Sequence, residues 1–129
     1  MVDNSHSYFL NQLLINSAQR RLFFDVRVTA KTKSLASILV QLNVLRRFHK
    51  QDGNQYRIFP AYTRYRRRSR PIKTYARVNG RIRFKLKTLQ TINTNTPHSY
   101  YILETPKGLM THKEALRNGT GGLLLLIVR

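Results

Sequence analysis

The chain contains no cysteine. Disulfides and thiolate metal sites are therefore excluded, and the composition fits a reducing compartment. Acidic side chains are almost as scarce, with five Asp and Glu in 129 residues. So few carboxylates cannot easily supply a two-carboxylate or two-metal catalytic centre. The glycine and Lys-Ser/Thr spacing of a P-loop is missing, which removes that kind of nucleotide cradle. His6, His49, His98 and His112 are scattered at no metal-ligand spacing and read as surface histidines. The longest apolar run, Leu123 to Val128, has six residues. Spanning a bilayer takes roughly 20, so this run reads as a buried strand. Near the N-terminus, Asp3 stands where a signal sequence would carry basic residues, and no export is expected. No repeat and no long low-complexity segment is present.

What the chain has in excess is positive charge: 24 Lys and Arg, for a formal charge of +19. Such a chain repels itself until a counter-charge is supplied. A polyanion is the natural partner, because each bound phosphate releases condensed counterions. An anionic membrane would require a basic amphipathic helix or an apolar anchor, and neither is evident. A hydrophobic content of 41% is enough for a modest core and too much for a disordered basic tail.

The patterning predicts an α+β fold. Asn4 and Ser5 can cap a first helix, followed at helical spacing by Leu10, Leu13, Leu14 and Ala18. Leu22, Phe24, Val26 and Val28 alternate with polar and aromatic residues at strand period. After the polar stretch Lys31 to Ser34, a stripe of Leu35, Ile38, Leu39, Leu42 and Leu45 predicts a second helix. Asn43 can take a left-handed cap position near its end. Strands are predicted around Tyr56 to Pro60 and over Ile72 to Val78. Asn79-Gly80 is then a strong hairpin signal, since both residues tolerate positive φ. Ile82, Phe84 and Leu86 alternate with Arg81, Arg83, Lys85 and Lys87, giving one apolar and one cationic face. Leu86, Leu89 and Ile92 permit a helical turn, and Asn93 to Pro97 reads as a loop. A strand over Ser99 to Leu103, a short helix over Thr111 to Asn118 and a strand over Leu123 to Val128 complete the chain. The result is two small α/β halves. An N-terminal α/β domain spans 1–61 with helix, strand, helix and further strand. A basic loop follows at 62–71. A mainly antiparallel C-terminal domain with a short helix spans 72–129 and is the expected RNA-binding domain.

Two segments can carry chemistry. Arg64, Arg66, Arg67, Arg68 and Arg70 place five arginines within seven positions. Each guanidinium is a planar fork for phosphate oxygens and can stack on bases, and Tyr62 and Tyr65 add stacking surfaces. The alternative is a solvated loop or a localisation signal. The second segment is Glu104-Thr105-Pro106-Lys107-Gly108-Leu109-Met110-Thr111 with Gly121 and Gly122 behind it. Thr105 and Thr111 offer hydroxyls, Lys107 a charge, and Gly108, Gly121 and Gly122 exposed backbone. Such loops can read bases and the 2′-OH at close range. Equally, Gly119, Gly121 and Gly122 can serve only to turn the chain. Lys31 and Lys33 before the second helix, with Arg81 and Arg83 on the cationic strand face, complete the candidate RNA-binding set. Catalytic residues, metal ligands and cofactors are not expected.

Lys107-Gly108-Leu109-Met110-Thr111, Glu114-Ala115, Gly121-Gly122 and the apolar terminus resemble the closing block of the small-subunit ribosomal protein eight family. The resemblance extends in order over nearly the whole chain, and Gly80 to Phe84 looks like the family's glycine, basic residue and aromatic. It implies a structural constituent of the small ribosomal subunit. That protein would bind a helical element in the central domain of small-subunit ribosomal RNA, support its early assembly, and touch neighbouring small-subunit proteins. It implies no membrane and no small-molecule substrate. The family usually has Ser-Thr-Ser, which contacts RNA, where this chain has Glu104-Thr105-Pro106. It often has an acidic residue where Leu123 stands, and a Pro-Gly where Asn79-Gly80 stands. This divergence, with no evident transit peptide, fits a protein made inside an organelle. The expected location is the matrix ribosome of a mitochondrion, with a bacterial cytoplasm or another organelle as alternatives.

Two other functions compete. A free basic regulator or RNA chaperone would share the charge without belonging to a particle. An RNA-modifying enzyme would need a catalytic constellation that the sequence does not display.

Overall fold

A computed structural model describes residues 5–62, 72–74 and 82–128. The chain divides into two compact units, Met1–Arg70 and Pro71–Arg129. Among the described residues there are four helices and two antiparallel sheets, the mixed α+β layout that the patterning predicts.

The N-terminal unit runs α1 (Ser5–Ala18), β1 (Phe24–Arg27), α2 (Ala30–Gln41), β2 (Leu45–Lys50) and β3 (Gln55–Pro60). Its sheet has the order β1-β3-β2. Phe9, Leu10 and Leu13 of α1 and Leu35, Ala36 and Leu39 of α2 are buried, together with Phe24 and Val26 of β1, Leu45 of β2 and Ile58 of β3. Strand period puts Phe24 and Val26 inward and Asp25 and Arg27 outward.

Three expectations change here. Leu22 is not an inward strand residue; it precedes β1 and is 78% exposed. The polar stretch at Lys31 to Ser34 is the first turn of α2, capped where the Thr32 N–H donates to the Thr29 hydroxyl at 3.4 Å. At the other end, Asn43 takes φ +61°, the left-handed conformation expected of it. That turn stops the helix, so Leu45 is buried as the first residue of a strand and not as the last of a helical stripe. β2 is hidden in the sequence because Leu42 and Leu45 keep helical spacing across the break.

The C-terminal unit holds β4 (Ile72–Thr74), β5 (Arg83–Phe84), α3 (Leu86–Asn95), β6 (Tyr100–Thr105), β7 (Gly108–Thr111), α4 (His112–Asn118) and β8 (Gly122–Val128). The order is β4-β8-β6-β7, and β5 also pairs with β8. The apolar terminus is thus a central strand. Leu124 to Val128 are buried without alternation, as expected of a strand covered on both faces. Leu89 of α3 and Ala115 of α4 pack on Leu103, Met110, Leu124 and Ile127, flanked by Phe84, Tyr101 and Leu116.

Here α3 continues to Asn95, into the first part of the expected Asn93 to Pro97 loop, with the Thr91 and Thr94 hydroxyls donating back to the Lys87 and Gln90 carbonyls. Part of the 104–111 segment is strand β7, not loop. The predicted strand residues beyond Thr74, and Asn79-Gly80, lie outside the described residues, as does Asn4. His6 and His112 are buried, at 1% and 0% exposure, and are not surface histidines.

Candidate nucleic-acid interface

The β6–β7 hairpin brings the second candidate segment to one end of the C-terminal sheet. Its pairing ends at Thr105 opposite Gly108, leaving Pro106 and Lys107 as the exposed turn. Gly108 has φ +113°, a conformation that only glycine adopts cheaply. The Thr105 side chain closes this turn. Its hydroxyl donates to the Gly108 carbonyl at 2.8 Å and accepts from the Lys107 N–H at 3.2 Å. Thr105 is buried, so what the turn presents to solvent is Lys107 with the Gly108 backbone.

Gly121 and Gly122 lie against the same end. A Cβ on Gly122 would fall 2.7 Å from the Glu104 carbonyl oxygen and 2.9 Å from Thr105 Cγ2. A Cβ on Gly121 would collide with the Phe84 carbonyl oxygen. The two glycines therefore admit β8 between β6 and β5, whose Arg83 pairs with Leu123 and Phe84 with Gly122. Their part is close strand approach. Turning the chain falls to Gly119, which caps α4 at φ +65°. Thr105, Lys107, Gly108, Gly121, Gly122 and Arg83 are thus gathered at one sheet end, with exposed Lys85 beside Gly121.

Thr111 is elsewhere. It is buried and caps α4, accepting from the Glu114 N–H at 3.3 Å. Glu114 sits in the first turn of that helix and Arg117 in the last, both favourable to its dipole. Beside this cap, His112 Nδ1 accepts from the Tyr101 N–H at 3.1 Å. Burial, and then the Lys113 charge, push its pKa below 6.5, so the ring is neutral.

In the N-terminal unit, Lys31 and Lys33 are exposed in the first turn of α2, which contains no acidic residue. Arg64, Arg66, Arg67, Arg68, Arg70 and Arg81 lie outside the described residues. Tyr62 is half-buried, and its hydroxyl donates to the Arg21 carbonyl at 2.7 Å. Burial raises its pKa.

Sequence reasoning passed over the outer face of the N-terminal sheet. Arg47 and His49 of β2 pair with Phe59 and Arg57 of β3. Arg57 in turn pairs with Asp25 and binds its carboxylate through two N–H groups at 3.0 and 3.3 Å. The hydrogen bond from Arg57 holds the Asp25 carboxyl below its ordinary range. The alternation in Arg47-Phe48-His49-Lys50, following a left-handed Asn43, was the signal available for this strand.

Among the described residues, no group of three or more His, Cys, Asp or Glu could hold a metal, and no helix is long and apolar enough to cross a membrane. Cationic and backbone groups collected at the ends and faces of small sheets define a nucleic-acid-binding structural module. A family model described as Ribosomal protein S8 matches residues 8–128, and the chain belongs to that family. The family is one of structural proteins of the small ribosomal subunit that bind its RNA and neighbouring ribosomal proteins; it is not a family of enzymes. No curated protein matches the chain significantly.

Proposed function

We propose that this chain binds the central domain of small-subunit ribosomal RNA and supports the early assembly of that domain. The observation that carries this reading is the gathering of Thr105, Lys107, Gly108, Gly121, Gly122 and Arg83 at one end of the C-terminal sheet. There a short turn projects a cation and bare backbone, the combination suited to close approach to an RNA minor groove. In this reading residues 72–129 are the discriminating RNA-binding domain, and the basic loop at 62–71 supplies sequence-independent attraction. Thr105 acts by fixing the turn and Thr111 by fixing α4 behind it. Lys31 and Lys33 add phosphate contacts from the N-terminal domain, and Arg81 and Arg83 add theirs from the C-terminal one.

The mitochondrial matrix ribosome is the proposed location. The support is the departure of Glu104, Pro106, Leu123 and Asn79-Gly80 from the family's usual residues. Fractionation of organelles, with the protein followed into the ribosomal pellet, checks it.

Binding to RNA is tested by cross-linking the chain within small subunits and mapping the linked nucleotides. Cross-links from Lys107 to a helical element of the central domain are expected. Links confined to another rRNA domain would remove this assignment. Loss of the chain from subunits washed in high salt, while tightly held proteins stay, would favour a free RNA chaperone.

A further inference from the structure

The outer face of the N-terminal sheet carries an array that the reading above leaves unused. Phe23 just before β1, Phe59 of β3 and Arg47 of β2 form one row, and Asp25, Arg57 and His49 form the next across the three strands. The rings of Phe23 and Phe59 lie 5.9 Å apart between centroids. The Arg57 guanidinium lies over Phe23 at 4.4 Å and that of Arg47 over Phe59 at 4.5 Å. The His49 ring lies 5.4 Å from Phe59.

Beside the first row is a groove of about 510 Å³, within the range of small-ligand pockets, roughly 300–1,000 Å³. Phe23, Phe59 and Tyr62 give it aromatic walls, Arg46 and Arg47 flank it, and among the described residues no acidic side chain lines it. Leu22 at its mouth is 78% exposed and Phe23 44%. Large apolar side chains held so far into solvent beside arginines mark an interaction surface.

We infer that this groove takes one unpaired nucleotide of RNA, its base stacked on the exposed Phe23 ring and its phosphate against Arg46 and Arg47. The chemistry favours RNA over an apolar protein segment. Guanidiniums held over the rings leave a mixed cationic and aromatic surface beside which any base can stack. The one acidic side chain on this face among the described residues, Asp25, is occupied by Arg57, so incoming phosphate meets net positive charge. An apolar protein segment would instead bury these guanidiniums without providing them a partner, at a desolvation cost. The inference rests on the chain being an RNA binder, and it adds a contact separate from the C-terminal turn.

The test uses the full chain with a central-domain rRNA transcript and, separately, with a short oligouridylate carrying 5-iodouridine. Phe23→Ala and Arg47→Ala are expected to weaken oligouridylate binding about tenfold, with the chain still folded by circular dichroism because both side chains lie outside the core. Phe23→Tyr keeps the ring and should bind as the parent does. Photo-cross-links should map to Phe23 or Phe59. Equal binding of all variants, with cross-links mapping only to the C-terminal unit, overturns the inference. So does a protein cross-link at Phe23 in intact subunits when the oligouridylate does not bind there, since the occupant is then a protein. Failure of the transcript alone would remove the central-domain assignment, while the oligouridylate arm would still decide the groove.

Discussion

Gly122 passes so close to Glu104 that a Cβ would lie 2.7 Å from the Glu104 carbonyl oxygen. The neighbouring Gly121 has the same relation to Phe84. The glycine pair is thus a seam in which β8 is flanked by β6 on one side and β5 on the other. The candidate RNA-facing turn at Thr105 to Gly108 hangs from that seam. Its geometry depends on residues that need touch no RNA.

Gly122→Ala should therefore lower stability before it affects RNA. The obstructing atoms are strand backbone, which cannot rotate away. Overpacking of this kind typically costs about 1–3 kcal/mol. Thermal or urea unfolding of the isolated chain would show a shifted midpoint. An unchanged midpoint with reduced RNA affinity would place Gly122 at the RNA surface instead.

The parts of the fold legible in the sequence are those fixed locally. The Asn43 turn and the apolar run of β8 follow from residue chemistry within a few positions, and each is found. The parts that were not legible depend on partners far along the chain. Leu45 keeps helical register with Leu42, and only pairing with Pro60 makes it a strand residue. β7 is four residues long, too short to show a period, and is defined by its ladder to β6. The site divides in the same way. Lys107 and Gly108 could be read as an exposed turn from composition. That Thr105 turns its hydroxyl back into the hairpin follows only from the Thr105–Gly108 pairing.

Leu39 is fully buried on α2, the helix that packs against α1 and β2. Leu39→Ala should cost about 2–5 kcal/mol through lost transfer energy and the cavity left behind. The check is an equilibrium urea titration, in which the midpoint should fall while the slope stays the same. A midpoint within error of the parent would show that the α2 core is not what stabilises this unit.

His112 makes stability depend on pH. Its ring is buried and neutral, and its folded pKa is pushed below the ordinary 6.5. The unfolded chain therefore binds a proton that the folded chain resists. The contribution is fully present above pH 6.5 and is lost as pH falls below it through the depressed folded value. His112→Gln should flatten this part of the melting-temperature profile. If the parent and the variant show parallel profiles between pH 7 and pH 5, His112 is not the titrating group.

The last prediction separates attraction from discrimination. Phosphates carry no sequence information, so Arg66, Arg67 and Arg68 changed together to Ala should weaken cognate and non-cognate RNA by similar factors. If about six to eight cations meet phosphate, log affinity falls with log salt at a slope near −5 to −7, taking roughly −0.9 per duplex contact. The triple variant should flatten that slope by two to three units, roughly one for each lost contact. Thr105→Ala acts differently. It removes the hydroxyl that holds Gly108 and Lys107 in the turn, at about 0.5–1.5 kcal/mol per neutral hydrogen bond. The loosened turn should lose cognate RNA selectively while the salt slope stays nearly constant. Lys107→Ala, which leaves the turn's hydrogen bonds intact, should change the slope by about one. Each variant is titrated against both RNAs at two salt concentrations. If Thr105→Ala reduces both affinities equally, or neither, the hairpin is a structural corner and discrimination resides elsewhere on the chain.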